Sequence, residues 1–226
     1  MIEKTLVIKF LTPWHVSSGL GDGYWADSVL RRDNDGFPYI PGRALKGALR
    51  EGARIISQCS GRDDLTYISK VIFGSDISKN EKSKEGLINF SSAYLNYEIK
   101  CALEGDDKNS IYKEEYIRDL LCYRTQIKLD ENGITENGSL RTIECGIPYL
   151  TFEAELEIKE NIIKSSQGIT FSESWINQYL ECVIAACKSI GADRARGLGK
   201  CEITFKGSKH KEVSLPPKKE VAHEIN

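Results

Sequence analysis

Residues 4–10, KTLVIKF, alternate apolar and polar positions and are rich in β-branched and aromatic side chains, which predicts a first strand. A glycine-rich loop follows over 12–25, then an extended stretch at 26–32 and an Asp-Asn-Asp-Gly turn at 33–36. Pro41 and Gly42 set the entry to a helix over about 43–58, with Leu45, Leu49, Ile55 and Ile56 facing a core. A shorter helix at 63–74 opens on an aspartate and stops at Gly74. The segment 87–99, LINFSSAYLNYEI, reads as two strands or one bent strand, and 111–122 as a helical turn or two. From 124 onward, alternating stretches enclose two Asn-Gly turns, which predicts a long β-hairpin. It projects, because 130–139 is too polar for a core. Residues 150–158, LTFEAELEI, alternate most cleanly of all and form a strand. A capping-box pattern at 170–173 opens the last helix, where Trp175, Ile176, Tyr179, Leu180, Val183, Ile184, Cys187 and Ile190 form an apolar stripe ended by Gly191. KCEITF at 200–205 is the final strand. The lysine-rich stretch beyond 206 has no apolar face and is expected to be disordered or loosely docked.

This order of elements implies an α+β fold, with an antiparallel sheet covered on one face by helices. The ferredoxin-like arrangement with large insertions fits it best. No internal repeat of fixed period is present.

Composition narrows the function. The chain has 226 residues, 40% of them hydrophobic and 28% charged, enough for one large domain or two small ones. A net charge of −2 argues against nucleic-acid binding by bulk electrostatics, while leaving room for a local basic stripe. No apolar run is long enough to span a membrane and no charged-then-apolar leader opens the sequence, so a cytoplasmic protein without a membrane partner is expected. The seven cysteines lack a C-x-x-C pair and the three histidines are scattered, so no zinc template exists. Reduced and mostly buried thiols are expected instead.

Two stretches break the ordinary pattern. Arg43, Lys46, Arg50 and Arg54 are spaced three, four and four, so they share one helix face. Such a face is either a solvated surface or a phosphate-binding one. Between the last helix and strand lies GADRARGLGK, 191–200, with Gly191, Gly197 and Gly199 around Arg194, Arg196 and Lys200. Glycines admit close approach of a polyanion, and guanidinium forks with exposed N–H groups then hold phosphates. It is neither a Walker A loop nor a dinucleotide-binding fingerprint. Among Asp22, Asp27, Asp33 and Asp35, the residues alone single out none.

PYIPGRALKGALRE at 38–51 and GADRARGLGK at 191–200 resemble the RAMP superfamily of CRISPR systems, as its opening helix and its terminal glycine-rich loop. HVSSG at 15–19, ADSVLRRDNDG at 26–36, VIFGS at 71–75 and the β-rich stretch 124–155 are similar to one branch, the backbone subunits of type III effector complexes. The resemblance runs to about residue 206. It implies a single domain over 1–206 with insertions at about 12–25, 75–123 and 126–146, the last a thumb-like hairpin, followed by the tail 207–226.

In that branch an aspartate directly before an S-x-x-x-R-D stretch cuts the target RNA paired to the guide, and its match is Asp27. The resemblance further implies guide-RNA contacts from His15, Ser18 and Gly19, from Arg43, Lys46 and Arg50, and from Gly191, Arg194, Arg196, Gly197 and Gly199. A divalent metal ion, Mg²⁺ or Mn²⁺, is the expected cofactor, with Asp27 as its candidate ligand. Expected partners are guide RNA, complementary target RNA, other CRISPR effector subunits and further copies of this chain. Two alternatives stay open: a guide-processing endoribonuclease of the same superfamily, which often uses histidine, and an architectural subunit that does not cut. Arg43 and Ala44 stand where many relatives carry small hydroxyl residues, and the hairpin sequence matches loosely.

Overall fold

A computed structural model describes residues 2–74, 85–104, 113–159, 171–208 and 213–218. The alternating N-terminal stretch forms β1 (Ile2–Phe10), which drops Leu6, Ile8 and Phe10 into the core. The cleanest alternation gives β6 (Thr151–Ile158), antiparallel to β1 with Ile8 opposite Phe152. β7 (Cys201–Phe205) lies on the other side of β1, again antiparallel, with Ile8 opposite Ile203. The expected pair in 87–99 is real: β2 (Ile88–Phe90) and β3 (Tyr94–Leu95) both pair with β6. The path β2-β6-β1-β7 is antiparallel throughout, and each of its central strands lies between partners distant in sequence. With one long helix after β1 and another after β6, this is the ferredoxin-like α+β fold.

The helices cover one face. α1 (Gly42–Ser60) packs against α2 (Asp63–Phe73) and α5 (Glu173–Ala186). α1 and α5 touch at Gly52, where a Cβ would stand 2.7 Å from the Val183 carbonyl oxygen. Gly52→Ala is therefore expected to lower stability by about 1–3 kcal/mol through overpacking. Urea unfolding checks this, and an unchanged midpoint would show that the helices have room to part.

The sheet's other face is open among the described residues, and it is acidic. Glu3, Glu155 and Glu202 are exposed there beside the half-buried Glu153 and Glu157. Lys9 is on the same face, and Lys206 is bonded to Glu153 at 2.9 Å.

Several expectations are corrected. α5 ends at Ala186, five residues before Gly191, although the apolar spacing continues to Ile190. Tertiary pairing wins there: the Ile190 amide bonds the Gly199 carbonyl at 2.9 Å and Ser189 bridges Lys200. Residues 97–104 form a helix, α3 (Tyr97–Glu104), where strand character was expected up to 99. Asn96 starts it, its side-chain oxygen accepting from the Glu98 amide at 3.0 Å. α4 (Lys113–Asp119) supplies the expected helical turns. The tail is not loose throughout: 213–218 returns to α5 and α2. Trp175 Nε1 donates to the Pro217 carbonyl at 2.9 Å and Arg62 donates to the Pro216 carbonyl at 2.5 Å. The helix is capped two residues later than the expected 170–173 box: Ser172 is the N-cap, its hydroxyl accepting from the Trp175 amide at 3.3 Å, and Thr170 lies outside the described residues.

Four cysteines are buried, Cys145, Cys182, Cys187 and Cys201, and Cys122 is half-buried, whereas Cys59 and Cys101 are exposed. Burial pushes the Cys145 and Cys201 thiols up to about 12, so they are inert.

Candidate nucleic-acid interface

Asp27, His15, Ser18, Gly19 and the glycine-rich loop gather at one end of the sheet, where β1 finishes and β7 begins. Lys46 and Arg50 instead lie near Glu85, Lys159 and Phe73. Beyond Phe10 the chain turns back, and Trp14 is fully buried, stacking on Phe10 at 4.6 Å between ring centres. That anchor clamps the hairpin of β4 (Leu121–Gln126) and β5 (Arg141–Gly146), because Trp14 and Gly146 exchange both backbone hydrogen bonds, at 3.1 and 2.8 Å. Gly146 lies against the indole so closely that a Cβ has no space. Beyond β4 and β5 the hairpin continues into the exposed 127–140 loop, with positive φ at Gly133 and Gly138, the two Asn-Gly turns.

The outward-facing backbone groups of β5 hold the loop that carries Asp27. Ser28 bridges Ile143, the Glu144 amide donates to the Ser28 carbonyl at 2.9 Å, and the Asp27 amide donates to the Thr142 carbonyl at 2.8 Å. Asp27 is exposed, and the Thr142 amide donates to its Oδ2 at 2.7 Å. One carboxylate oxygen is thus fixed, and the other has no partner among the described residues.

Sequence reasoning missed the residue that organises this edge. Glu144 is only 2% exposed. Its Oε1 accepts from Arg32 at 2.6 Å and its Oε2 from the Leu30 amide at 2.9 Å. Its carbonyl accepts from the His15 Nδ1–H at 2.6 Å, which fixes the histidine tautomer. A lone glutamate between Ile143 and Cys145 on an alternating strand was the available signal, but its partners lie more than a hundred positions away.

His15, expected to contact guide RNA, is 3% exposed, and its Nε2 lies 3.1 Å from the Ser28 hydroxyl. Both ring nitrogens are engaged, so in this structure it positions the residue next to Asp27 rather than facing a ligand. Ser18 and Gly19 sit just beyond: the Ser18 amide donates to Val29 at 3.0 Å, its carbonyl accepts from Arg31 at 3.1 Å, and Gly19 has φ +88°.

The glycine-rich loop docks on the same strip. The Ala192 amide donates to the His15 carbonyl at 2.9 Å and the Gly199 amide to the Pro13 carbonyl at 2.8 Å. Gly191 and Gly199 take positive φ with backbone oxygens where a Cβ would lie, so close approach and conformation both demand glycine. Arg194–Arg196 form one 3₁₀ turn, with Arg194, Arg196 and Gly197 exposed. Gln126 joins this turn to the hairpin, donating to Asp193 Oδ2 at 3.1 Å while its own oxygen accepts from Arg196. Gln126 follows Thr125, the cross-strand partner of Thr142. Asp27 and Arg196 are therefore held at one end of one hairpin.

The basic helix splits into two groups. Arg43 is exposed and Lys46 half-buried, its ammonium pKa lowered by burial and by the nearby Arg50 charge. Arg50 donates to the Phe73 carbonyl at 2.7 Å, at the last turn of α2. Arg54 pairs with Glu51 at 2.6 Å. The Glu51 carboxyl is held below its usual range first by Arg54 and to a smaller degree by Arg194, whereas the charges acting on Lys46 are those of Arg50, Glu85 and Lys159.

Among the described residues no three His, Cys, Asp or Glu side chains gather to hold a metal ion. Asp22 is committed elsewhere, its Oδ1 accepting from three amides. Asp27 offers one free oxygen, which suits a cation shared with substrate phosphates but does not retain one alone. No described helix is long and apolar enough to cross a membrane.

Comparison with known proteins gives the family. No curated protein matches the chain. Among solved structures, it is similar to a chain of a type III-B Cmr-beta complex bound to cognate target RNA, with TM-score 0.63 and 15% identity over 91% of this chain and 97% of that one. A chain of the Cmr-beta apo state gives 0.61 and 16% identity, covering 91% and 98%. A chain of a type IV-B CRISPR complex gives 0.56 and 16%, covering 96% of each. These likenesses carry the fold. The RAMP superfamily model matches residues 7–202, from within β1 through both glycine-rich loops to the start of β7, and the chain belongs to the RAMP superfamily.

Proposed function

We propose that this chain is a backbone subunit of an RNA-guided CRISPR effector complex of the type III kind, and that it cuts target RNA with Asp27. The observation that carries the reading is the joint fixing of Asp27 at Thr142 and of Arg196 at Gln126, on adjoining positions of one hairpin. Exposed guanidinium groups and glycine backbone hold RNA phosphates without reading sequence. Base pairing with a guide would supply the specificity. The fold shared with Cmr-beta and type IV-B chains supports the assignment to such complexes.

The chemistry needs one carboxylate. Asp27 takes the proton from a ribose 2′-hydroxyl, whose oxygen attacks the adjacent phosphorus. The bond from phosphorus to the 5′-oxygen breaks, leaving a cyclic phosphate and a 5′-hydroxyl protonated from water. Held at one oxygen by Thr142, the carboxylate keeps its other oxygen aimed outward. Asp27 would hold Mg²⁺ or Mn²⁺ only jointly with RNA phosphate oxygens, and the ion would supply positive charge to offset theirs. The guide-processing alternative gains no support from His15, which is buried and doubly bonded.

Two measurements test the binding half. Copurification from the native host should yield this chain with a guide RNA and other effector subunits. Arg194→Ala with Arg196→Ala should weaken single-stranded RNA binding for every sequence alike. The slope of log affinity against log salt should fall by about 1.4, at roughly 0.7 per lost phosphate contact. An unchanged slope would reduce the glycine-rich loop to a turn.

A further inference from the structure

We propose that Tyr24 and Trp25 form a stacking platform for an unpaired nucleobase lying beside Asp27. The inference rests on the RNA-binding reading above and names what the loop at 19–26 does for it. Of the three tryptophans, Trp14 is 0% and Trp175 4% exposed, both inside the core. Trp25 is 78% exposed and its neighbour Tyr24 is 95% exposed. Two large aromatic faces left in water on one loop tip contribute nothing to the core, though each has 150–250 Å² to bury (a general value).

The tip is nevertheless built. The Asp22 Oδ1 accepts from the Tyr24, Trp25 and Ala26 amides at 3.0, 2.7 and 2.8 Å. The Asp22 amide donates to the Ala26 carbonyl at 3.1 Å, and the Val29 amide to the Leu20 carbonyl at 3.0 Å. Ala26 is buried beneath. Such a loop is ordered before any ligand arrives, which lowers the entropy cost of binding. Residues 21–25 and Asp27 are exposed around the buried Ala26, so Trp25 and Asp27 lie two residues apart on one exposed loop.

The surroundings favour a base over a protein surface. The neighbours are the carboxylates of Asp22 and Asp27 and the glycines 19, 21 and 23, with Leu20 the one exposed aliphatic side chain of the loop. A base stacks one face on an aromatic ring and keeps its polar edge in water.

The full-length chain tests this with two polyanions, single-stranded oligoadenylate and inorganic polyphosphate, which lacks bases. Trp25 supplies the solvent-exposed emission, and Trp25→Phe identifies it. Oligoadenylate should quench that emission and polyphosphate should not. Trp25→Ala should weaken oligoadenylate binding by about five- to hundred-fold and leave polyphosphate binding unchanged. Trp25→Phe should retain most of the affinity. If the parent binds oligoadenylate through Arg194 and Arg196 while Trp25 emission stays constant and Trp25→Ala binds equally, the platform is wrong and the RNA-binding reading stands. If the parent binds neither polyanion, both fall. If Trp25→Ala changes only the oligomeric state, the tip takes a protein neighbour and the proposal is overturned.

Discussion

Asp27→Asn will leave target RNA bound and uncut. The amide keeps an oxygen to accept from the Thr142 N–H, so the loop should hold its place on β5. What is lost is the group that accepts the 2′-hydroxyl proton. General-base contributions are about 10²–10⁴-fold in rate, so the cleavage rate should fall by that much. Affinity should hold or rise slightly, because removing one negative charge from a phosphate-binding strip does not weaken it. The measurement is cleavage of a complementary RNA by the complex assembled on its guide, with binding followed in parallel. An Asp27→Asn complex that cuts at the parental rate would remove Asp27 from the chemistry. A parental complex that never cuts would make the subunit architectural.

Glu144→Ala is expected to be the most destabilising single change. It leaves the Leu30 amide without its acceptor and Arg32 without its partner. Breaking one half of a buried pair costs about 3–5 kcal/mol; here Arg32 regains water, which places the loss near ~3 kcal/mol. Glu144→Gln retains an acceptor for Leu30 and should lose about half as much. Urea unfolding measures both. The same variants should slow cleavage, since the strand that positions Asp27 is tied to β5 through this carboxylate. A parental midpoint in Glu144→Ala would mean that Trp14 and the backbone bridges hold the loop without it.

The sheet was legible because one face of each strand is buried and the other is not. Alternation at 4–10, 150–158 and 200–205 marks β1, β6 and β7 with boundaries close to those observed. Helix length was less legible. Cys187 and Ile190 fall on the helical stripe but are used differently, because Ser189 and Ile190 pair with Lys200 and Gly199. Asp27 and the glycine-rich loop could be found from local motifs. Glu144 and Gln126 could not, since each acts through partners far along the chain, and the one local signal, a glutamate between Ile143 and Cys145, does not name those partners. At His15, burial shows a role that the motif does not. Its motif suggested a ligand contact, while burial against the Glu144 carbonyl makes it part of the support.

The acidic open face of the sheet has an electrical consequence. With a net charge of −2, the chain has little pull on a polyanion at long range. Its charges are nonetheless segregated, with Glu3, Glu155 and Glu202 on the sheet face and Arg43, Arg194 and Arg196 on α1 and the loop at the β1–β7 end. Among the described residues this separation gives a dipolar component, partly offset by Lys9 and Lys206 on the sheet face and by Asp22 and Asp27 near the loop. Near a nucleic acid the molecule experiences a torque before it experiences much attraction, so encounters are sorted by orientation before contact. Salt shortens the range of that torque to about 8 Å at physiological strength, and should slow productive docking more than it hastens release.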